Sequence, residues 1–374
     1  MYTVSAVIPL IGGFLAGAIE AGTEVNQILS YPEFTFNDGF ASRHFGLPVE
    51  TFEQARYADI VVATPPCSGL STANLSNAPD HKVNQWMTRS LHDTLTHVRP
   101  QVVIGENAPA LTQSKGYFMR DEIVRVASEH GYSASFMRTD TQHHGLPQRR
   151  VRTFYFLWKG DRVPVLNGYR RQSPSLHELW KVGSGEPLCE RKDDEVQALS
   201  LLTDDISTYV PQPGDFLVHQ LVRAGKDRQA LLELPQESYI VKLIHHSHRK
   251  LAQGLGFYDG SPKISGKIAH AWMHRNFNGF RPLSSDVLTV GDALAIMGLP
   301  GGYASQITRK NVVVTSQTVP TCTARDMVLE ATAALDGARS WNQRSGYAQN
   351  NATPKASHKV PAPELTLVTP VRMP

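Results

Sequence analysis

Apolar and polar positions divide the chain into two regimes. Up to about residue 160, short apolar runs alternate with stretches of helical character. The runs at 3–9, 24–30, 59–64, 101–105, 134–139 and 151–158 predict strands, and 14–21, 38–45, 84–98 and 117–130 predict helices. Strands alternating with helices imply a mostly parallel sheet covered on both faces. Beyond Gly160 the regularity ends. Residues 161–280 carry turn-rich stretches ("RRQSPS", "KVGSGEP", "VPQPGD", "GFYDGSPK") and an acidic "DDE" at 193–195, which predict a second, less regular domain. Helical patterning returns at 289–297 and 321–336. After Gly337 the chain is polar, contains proline and has no period, which predicts a disordered tail. No internal repeat is present.

Composition narrows the class. The 374 residues are 41% hydrophobic and 19% charged, as in a soluble protein with a sizeable core, and length suggests two domains. No apolar stretch reaches the ~18 residues that a membrane span needs. The start, "MYTVSAVIPLIGG", lacks a basic segment and a cleavage pattern, so it reads as a first strand. Cys67, Cys189 and Cys322 are three and far apart, which argues against a disulfide framework and for a reducing compartment. The net charge of +3 is local: residues 338–374 hold five basic groups against one acid, net +4, leaving −1 for everything before them. Bulk charge is therefore no evidence that the folded part binds a polyanion.

Candidate chemistry begins in "DIVVATPPCSGLSTAN", residues 59–74. A buried strand runs into Pro65 and Pro66, which fix two φ angles and remove two N–H donors, and then into Cys67. On its own the stretch favours a structural reading, a small buried cysteine after a turn. Two other strand ends change that balance. "PQVVIGENAPAL" closes in Glu106 and Asn107, and "QHHGLPQRRVRTFYFLWKG" places Gln148, Arg150 and Arg152 at alternate positions, predicting one shared face. A thiol, a carboxylate and an Arg/Gln face then converge on the C-terminal edge of one sheet, where open α/β sheets hold ligands. A cysteine hydrolase would need a histidine, which "HH" at 143–144 could offer, but it leaves the arginines unexplained. "HHSHRK" (245–250) lacks supporting Cys or acid and reads as a surface or phosphate contact, so no metal site is expected. "GYRRQ" (168–172) and "HAWMHRNFNGF" (270–280) suit groove reading and a packed hairpin about equally.

"PPCSGLS", "ENAPAL" and "GLPQRRVR" together resemble, in order and spacing, three motifs of the cytosine-5 DNA methyltransferases. "TRSL" (88–91) is similar to the intervening motif. "RPLSSDVLTVGDALAIMGLPGGY" (281–303) is similar to the segment joining recognition and catalytic domains, and "TSQTVPTCTARDMVLEATAAL" (315–335) to the last motif. The resemblance implies a Rossmann-like, doubly wound α/β S-adenosylmethionine-dependent methyltransferase domain plus a smaller, irregular target-recognition domain. Residues 1–160, completed by 308–337, would be catalytic; 161–307 would hold target recognition and the connecting motif; 338–374 would be a basic tail. The implied reaction is methyl transfer from S-adenosylmethionine to C5 of a cytosine flipped out of double-stranded DNA. Cys67 would be the nucleophile at C6, Glu106 the acid at N3, and Arg152 with Arg150 would hold the base and keep the thiolate ionised, with Pro66, Asn107 and Gln148 in support. The family context is a monomeric, cytoplasmic enzyme of the restriction–modification kind, in a bacterial or phage-infected cell.

The cofactor side departs from the family pattern. Where the family reads Asp-Leu-Phe-Ser-Gly-x-Gly-Gly, this chain reads "AVIPLIGG": Gly12 and Gly13 remain and Phe14 follows, but Ile8 replaces the aromatic and Leu10 the first glycine. The acid after the second strand has no clear equivalent, with Ser30 nearest and Glu33 displaced. Glu50 stands where an adenine-binding acid is usual, and Pro65, Leu91 and Gln317 complete the implied cofactor set. An altered donor, a tRNA substrate, or a base-flipping DNA binder without turnover remain as alternatives.

Overall fold

The computed structural model describes residues 1–70, 81–161, 163–174, 179, 185–188, 269–270, 289–299 and 301–337. The acidic patch, "HHSHRK", Cys189, most of the expected recognition domain and the expected tail lie outside these residues.

A seven-stranded sheet organises the described chain. In chain order its strands are β1 (Thr3–Val7), β2 (Glu24–Leu29), β3 (Val49–Glu50), β4 (Ile60–Ala63), β5 (Val102–Asn107), β6 (Tyr132–Asp140) and β8 (Val151–Lys159), arranged β3-β2-β1-β4-β5-β8-β6. A two-residue β7 (Gln148–Arg149) pairs outside the sheet with β9 (Ala269–His270). The helices are α1 (Gly13–Glu20), α2 (Thr35–Phe45), α3 (Asn84–Asp93), α4 (Tyr117–Glu129), α5 (Val290–Ala295) and α6 (Thr321–Leu335).

The expected elements are present, with two informative differences. β1 stops at Val7 rather than residue 9, because Ile8 takes a φ of 50° that no strand residue adopts. The region 84–98 is not one α-helix: after Asp93 it widens into a π-type turn, Thr94–Val98, ended by Arg99 at φ 55°.

All neighbours from β3 to β5 are parallel, whereas β8 runs antiparallel to both β5 and β6. Strands covered on both sides must be apolar on both sides, which explains Ile60-Val61-Val62-Ala63, every residue of which is buried. On one face Val61, Val103, Tyr155 and Leu157 pack with Met87, Leu91, Met119 and Ile123 of α3 and α4. On the other, Val62, Ile104, Phe154 and Phe156 pack with Phe14 and Leu15 of α1 and Met327, Val328 and Ala331 of α6. A third cluster joins Ile11 and Phe40 to Val290, Leu294, Tyr303, Ile307, Val312 and Val314. The expected domain boundary at 307/308 therefore runs through one shared core.

The contact of α1 with α6 requires a glycine. A Cβ at Gly17 would stand 2.5 Å from Ala324 Cβ and 2.6 Å from the Thr321 carbonyl oxygen. Gly17→Ala must push α6 off the sheet or strain α1, and should cost about 1–3 kcal/mol. Chemical denaturation should show a lower midpoint with an unchanged slope.

Candidate active site

The parallel register ends β4 and β5 side by side, with Ala63 opposite Gly105. Cys67 follows β4 by four residues, on a corner fixed by Pro65 and Pro66 and closed by a turn in which Leu70 N–H donates to the Cys67 carbonyl at 3.0 Å. Glu106 lies near the end of β5, buried. Because β8 runs against β5, it enters the sheet at the edge where β4 and β5 leave it, and there Arg152 Nε meets Glu106 Oε1 at 2.9 Å.

Burial sets the electrostatics. Desolvation is the largest influence on Glu106 and raises its carboxyl above the ordinary range, although Arg152 and Arg150 oppose it. The Cys67 thiol is pushed up, first by burial and then by the Glu106 charge, and the two arginines pull it down less than these raise it. Both arginines act on Cys67 in the expected direction, toward the thiolate, while burial and the Glu106 charge act against them and outweigh them. Desolvation also lowers Arg150 to about 9.

The expected single face of Gln148, Arg150 and Arg152 is corrected. Gln148 belongs to β7 and Arg152 to β8, with a tight turn between them, so alternation does not carry across. Gln148 is buried and its Nε2 donates to the Ile296 carbonyl at 2.5 Å. The Arg150 guanidinium donates to the Ser316 and Thr318 carbonyls at 2.9 and 3.2 Å. Arg152 pairs with Glu106, and the Arg150 charge also acts on both Glu106 and Cys67. Asn107 is buried, its Oδ1 accepting from Ala108 N–H at 2.9 Å and its Nδ2 lacking a partner.

Of the two histidines that the disfavoured hydrolase alternative could have used, His144 is committed elsewhere. His144 Nδ1 lies 2.9 Å from Asp326 Oδ2, and its Nε2 lies 2.7 Å from Thr139 Oγ1. Burial pushes the Asp326 carboxyl up, but its bonds to His144 and Arg171 outweigh this and hold it low. Arg171 grips Asp326 with two nitrogens, and the Tyr169 hydroxyl donates to Glu330 at 2.5 Å. Within "GYRRQ", these two side chains therefore pack on α6.

The turn after β1 keeps a left-handed backbone without its glycine. Leu10 has φ 58° and Ile8 φ 50°. Gly12 is left-handed too, and a Cβ there would meet Phe45 Cε2 at 2.7 Å and the Tyr303 hydroxyl at 2.9 Å. Gly13 N–H donates to Thr318 Oγ1 at 3.0 Å. Phe14 is in the core, edge-on to Phe154 at 6.1 Å between ring centroids, and Leu91 is in the opposite core. Ser30 does not face outward as a free acceptor: its hydroxyl donates to Asp38. Glu33 and Gln317 are exposed and Pro65 is buried. Glu50 Oε1 pairs with Arg56 at 2.9 Å, while Oε2 is buried without a partner.

Three residues here were not expected from the sequence. Asp38, fully buried in α2, accepts from Leu10 N–H at 2.7 Å as well as from Ser30. The Thr64 hydroxyl donates to the Ile8 carbonyl at 2.5 Å. Thr318 joins Arg150 to Gly13. The sequence signals were slight: an acid on a helix flank, and a hydroxyl before two prolines.

Among the described residues, no cluster of His, Cys, Asp and Glu could hold a metal ion, and no helix is long and apolar enough to cross a membrane. The family model for C-5 cytosine-specific DNA methylase matches residues 33–318, starting beyond the β1 turn. Among solved structures, a protein assigned as a DNA modification methyltransferase, encoded within an E. coli prophage, is similar. Its TM-score is 0.58 at 15% identity, over 90% of this chain and 100% of that one. The Entamoeba histolytica methyltransferase EhMeth gives 0.55 at 10% identity, covering 90% and 99%. A Spodoptera frugiperda DNMT2 mutant gives 0.52 at 12%, covering 89% and 100%. These likenesses support the fold. No curated protein matches the sequence.

Burial raises the Asp38 carboxyl to about 7, from 3.8, against the bonds from Ser30 and Leu10. A folded-state value above the unfolded one contributes stability that is full below 3.8 and is lost as pH rises through about 7. The whole effect is at most roughly 4 kcal/mol. Asp38→Asn does not titrate. The melting temperature of wild type minus that of Asp38→Asn should therefore fall between pH 4 and 7 and level off above.

Proposed function

Because the chain belongs to the C-5 cytosine-specific DNA methylase family, we propose that it methylates C5 of a cytosine in double-stranded DNA through a bond between Cys67 Sγ and C6. The single observation that carries this reading is the meeting of Cys67, Glu106 and Arg152 at the joint end of β4, β5 and β8.

C5 of cytosine is a poor nucleophile. Addition of the Cys67 thiolate to C6 moves the ring π electrons toward C5 and N3, giving an enamine that can attack an electrophile. Glu106 supplies a proton to N3. Burial raises its carboxyl, the direction that favours a proton donor. Arg152 fixes the carboxyl against the sheet edge. Loss of the C5 proton to solvent, expulsion of Sγ and return of the N3 proton to the Glu106 carboxylate restore the aromatic ring, the free thiolate and the acid. The cysteine corner is stiff because small misplacements of a nucleophile are costly. A base inside a duplex cannot reach a thiol in such a crevice, so the target is flipped out.

S-adenosylmethionine, when bound, supplies an electrophilic methyl group. The residues present fit its adenine end: the unpartnered, buried Glu50 Oε2 is an acceptor for an exocyclic amine. Gly12 and Gly13, by contrast, are closely packed by Tyr303, Phe45 and Thr318, so their role is to seat the turn on the 303–318 segment.

Duplex DNA and tRNA, each containing 5-fluorocytosine, should be offered with S-adenosylmethionine. After methyl transfer, C5 carries fluorine and methyl and has no proton to lose, so the DNA adduct should survive denaturation and map to Cys67 by mass spectrometry. Cys67→Ala should abolish it and Glu106→Gln should slow it by about 10²–10⁴-fold. An adduct formed only with tRNA, or one that persists in Cys67→Ala, contradicts the proposal.

A further inference from the structure

The turn after β1 is held in a conformation its residues do not favour. Left-handed φ is uncommon for any residue with a Cβ and rare for a β-branched one, yet Ile8 and Leu10 both adopt it, two residues apart. Such backbone persists only where surrounding groups over-determine it. Here the determinants are identifiable. Ile8 N–H donates to the Leu29 carbonyl at 3.0 Å, and the Ile8 carbonyl accepts from Thr64 Oγ1 at 2.5 Å. Leu10 N–H donates to Asp38 Oδ1 at 2.7 Å, and Asp38 Oδ2 is held in turn by Ser30. Asp38 and Thr64 approach the turn from different elements, α2 and the end of β4, and neither is otherwise engaged in the chemistry. Thr64 is also three residues from Cys67, with its own N–H on the Val7 carbonyl at 3.1 Å.

We propose that Asp38 and Thr64 are positioning residues that clamp Ile8-Pro9-Leu10 into the turn a glycine would adopt freely, and that Thr64 couples this turn to the Cys67 corner. The clamp explains how a chain with leucine in place of the first glycine keeps the glycine's backbone shape. The proposal rests on the cofactor reading above in one respect, that the turn borders the donor.

The test uses the full chain and S-adenosylhomocysteine as probe, with calorimetry well below the melting transition. Asp38→Ala and Thr64→Val should each weaken binding on the order of tenfold. Leu10→Gly should restore affinity in the Asp38→Ala background, because glycine needs no clamp, whereas Leu10→Ala should not. Thr64→Val, and not Asp38→Ala, should change the rate of Cys67 alkylation, and Thr64→Ser should return it to the wild-type rate. Variants that melt earlier yet bind the probe as wild type would overturn the proposal, as would equal rescue by Leu10→Ala. If wild type binds no probe, the cofactor reading fails and the clamp is judged by melting alone. Leu10→Gly should then raise the melting temperature of Asp38→Ala more than that of wild type, and equal increments would overturn the clamp.

Discussion

The site depends on one strand running the wrong way. In an all-parallel sheet every strand would deliver its C-terminal end to the ligand edge, and a residue opening a strand would face the opposite side. β8 runs antiparallel between β5 and β6, so its first residues arrive where β4 and β5 end. That places the Arg152 guanidinium on Glu106, a charge pair at a largely buried position. Removing one member of such a pair leaves the other unpaired and is far more damaging than losing an exposed ion pair. The same burial raises both the Cys67 thiol and the Glu106 carboxyl, and the Glu106 charge raises the thiol further. Burial thus works toward the protonated form of both groups, and Arg152 and Arg150 work against it.

A second set of contacts closes the domain through its C-terminal segment. Arg150 reaches the Ser316 and Thr318 carbonyls, and the Thr318 hydroxyl accepts from Gly13 N–H at the first turn of α1. Arg150 and the turn after β1 thus share one residue, Thr318. Farther along α6, Asp326 and Glu330 hold Arg171 and Tyr169, where the chain leaves the sheet toward residues 175 and beyond. Each of these contacts joins the C-terminal segment to an element distant in sequence, so together they fix where it sits.

The sequence made the candidate group legible because it gathers a thiol, a carboxylate and an arginine at strand ends. Cys67 after two prolines, Glu106 closing an apolar run and Arg152 at the start of a strand were each ordinary alone, and stood out only together and through the motif resemblance. The fates of Gln148 and Arg150 could not be read, since alternation assumes one continuous strand and β7 breaks it. Asp38 and Thr64 were invisible for a different reason: only the folded order β2-β1-β4 brings their elements against the turn after β1. Reading Leu10 at a glycine position said nothing of the backbone, which is left-handed there. Phe14 shows the converse, a residue at a motif position whose side chain fills the core.

The central claim, that Cys67 and Glu106 carry out addition to cytosine, can be separated from every question about the donor. Thiolate addition at C6 makes C5 basic, so without a donor the C5 hydrogen of a target cytosine exchanges with solvent. Duplex DNA incubated with the protein in deuterium oxide, then digested and weighed by mass spectrometry, reports this directly. The account predicts deuterium at C5 of a subset of cytosines with wild type and none with Cys67→Ala. Exchange that survives Cys67→Ala, or its absence with folded wild-type protein bound to DNA containing its recognition sequence, would contradict it.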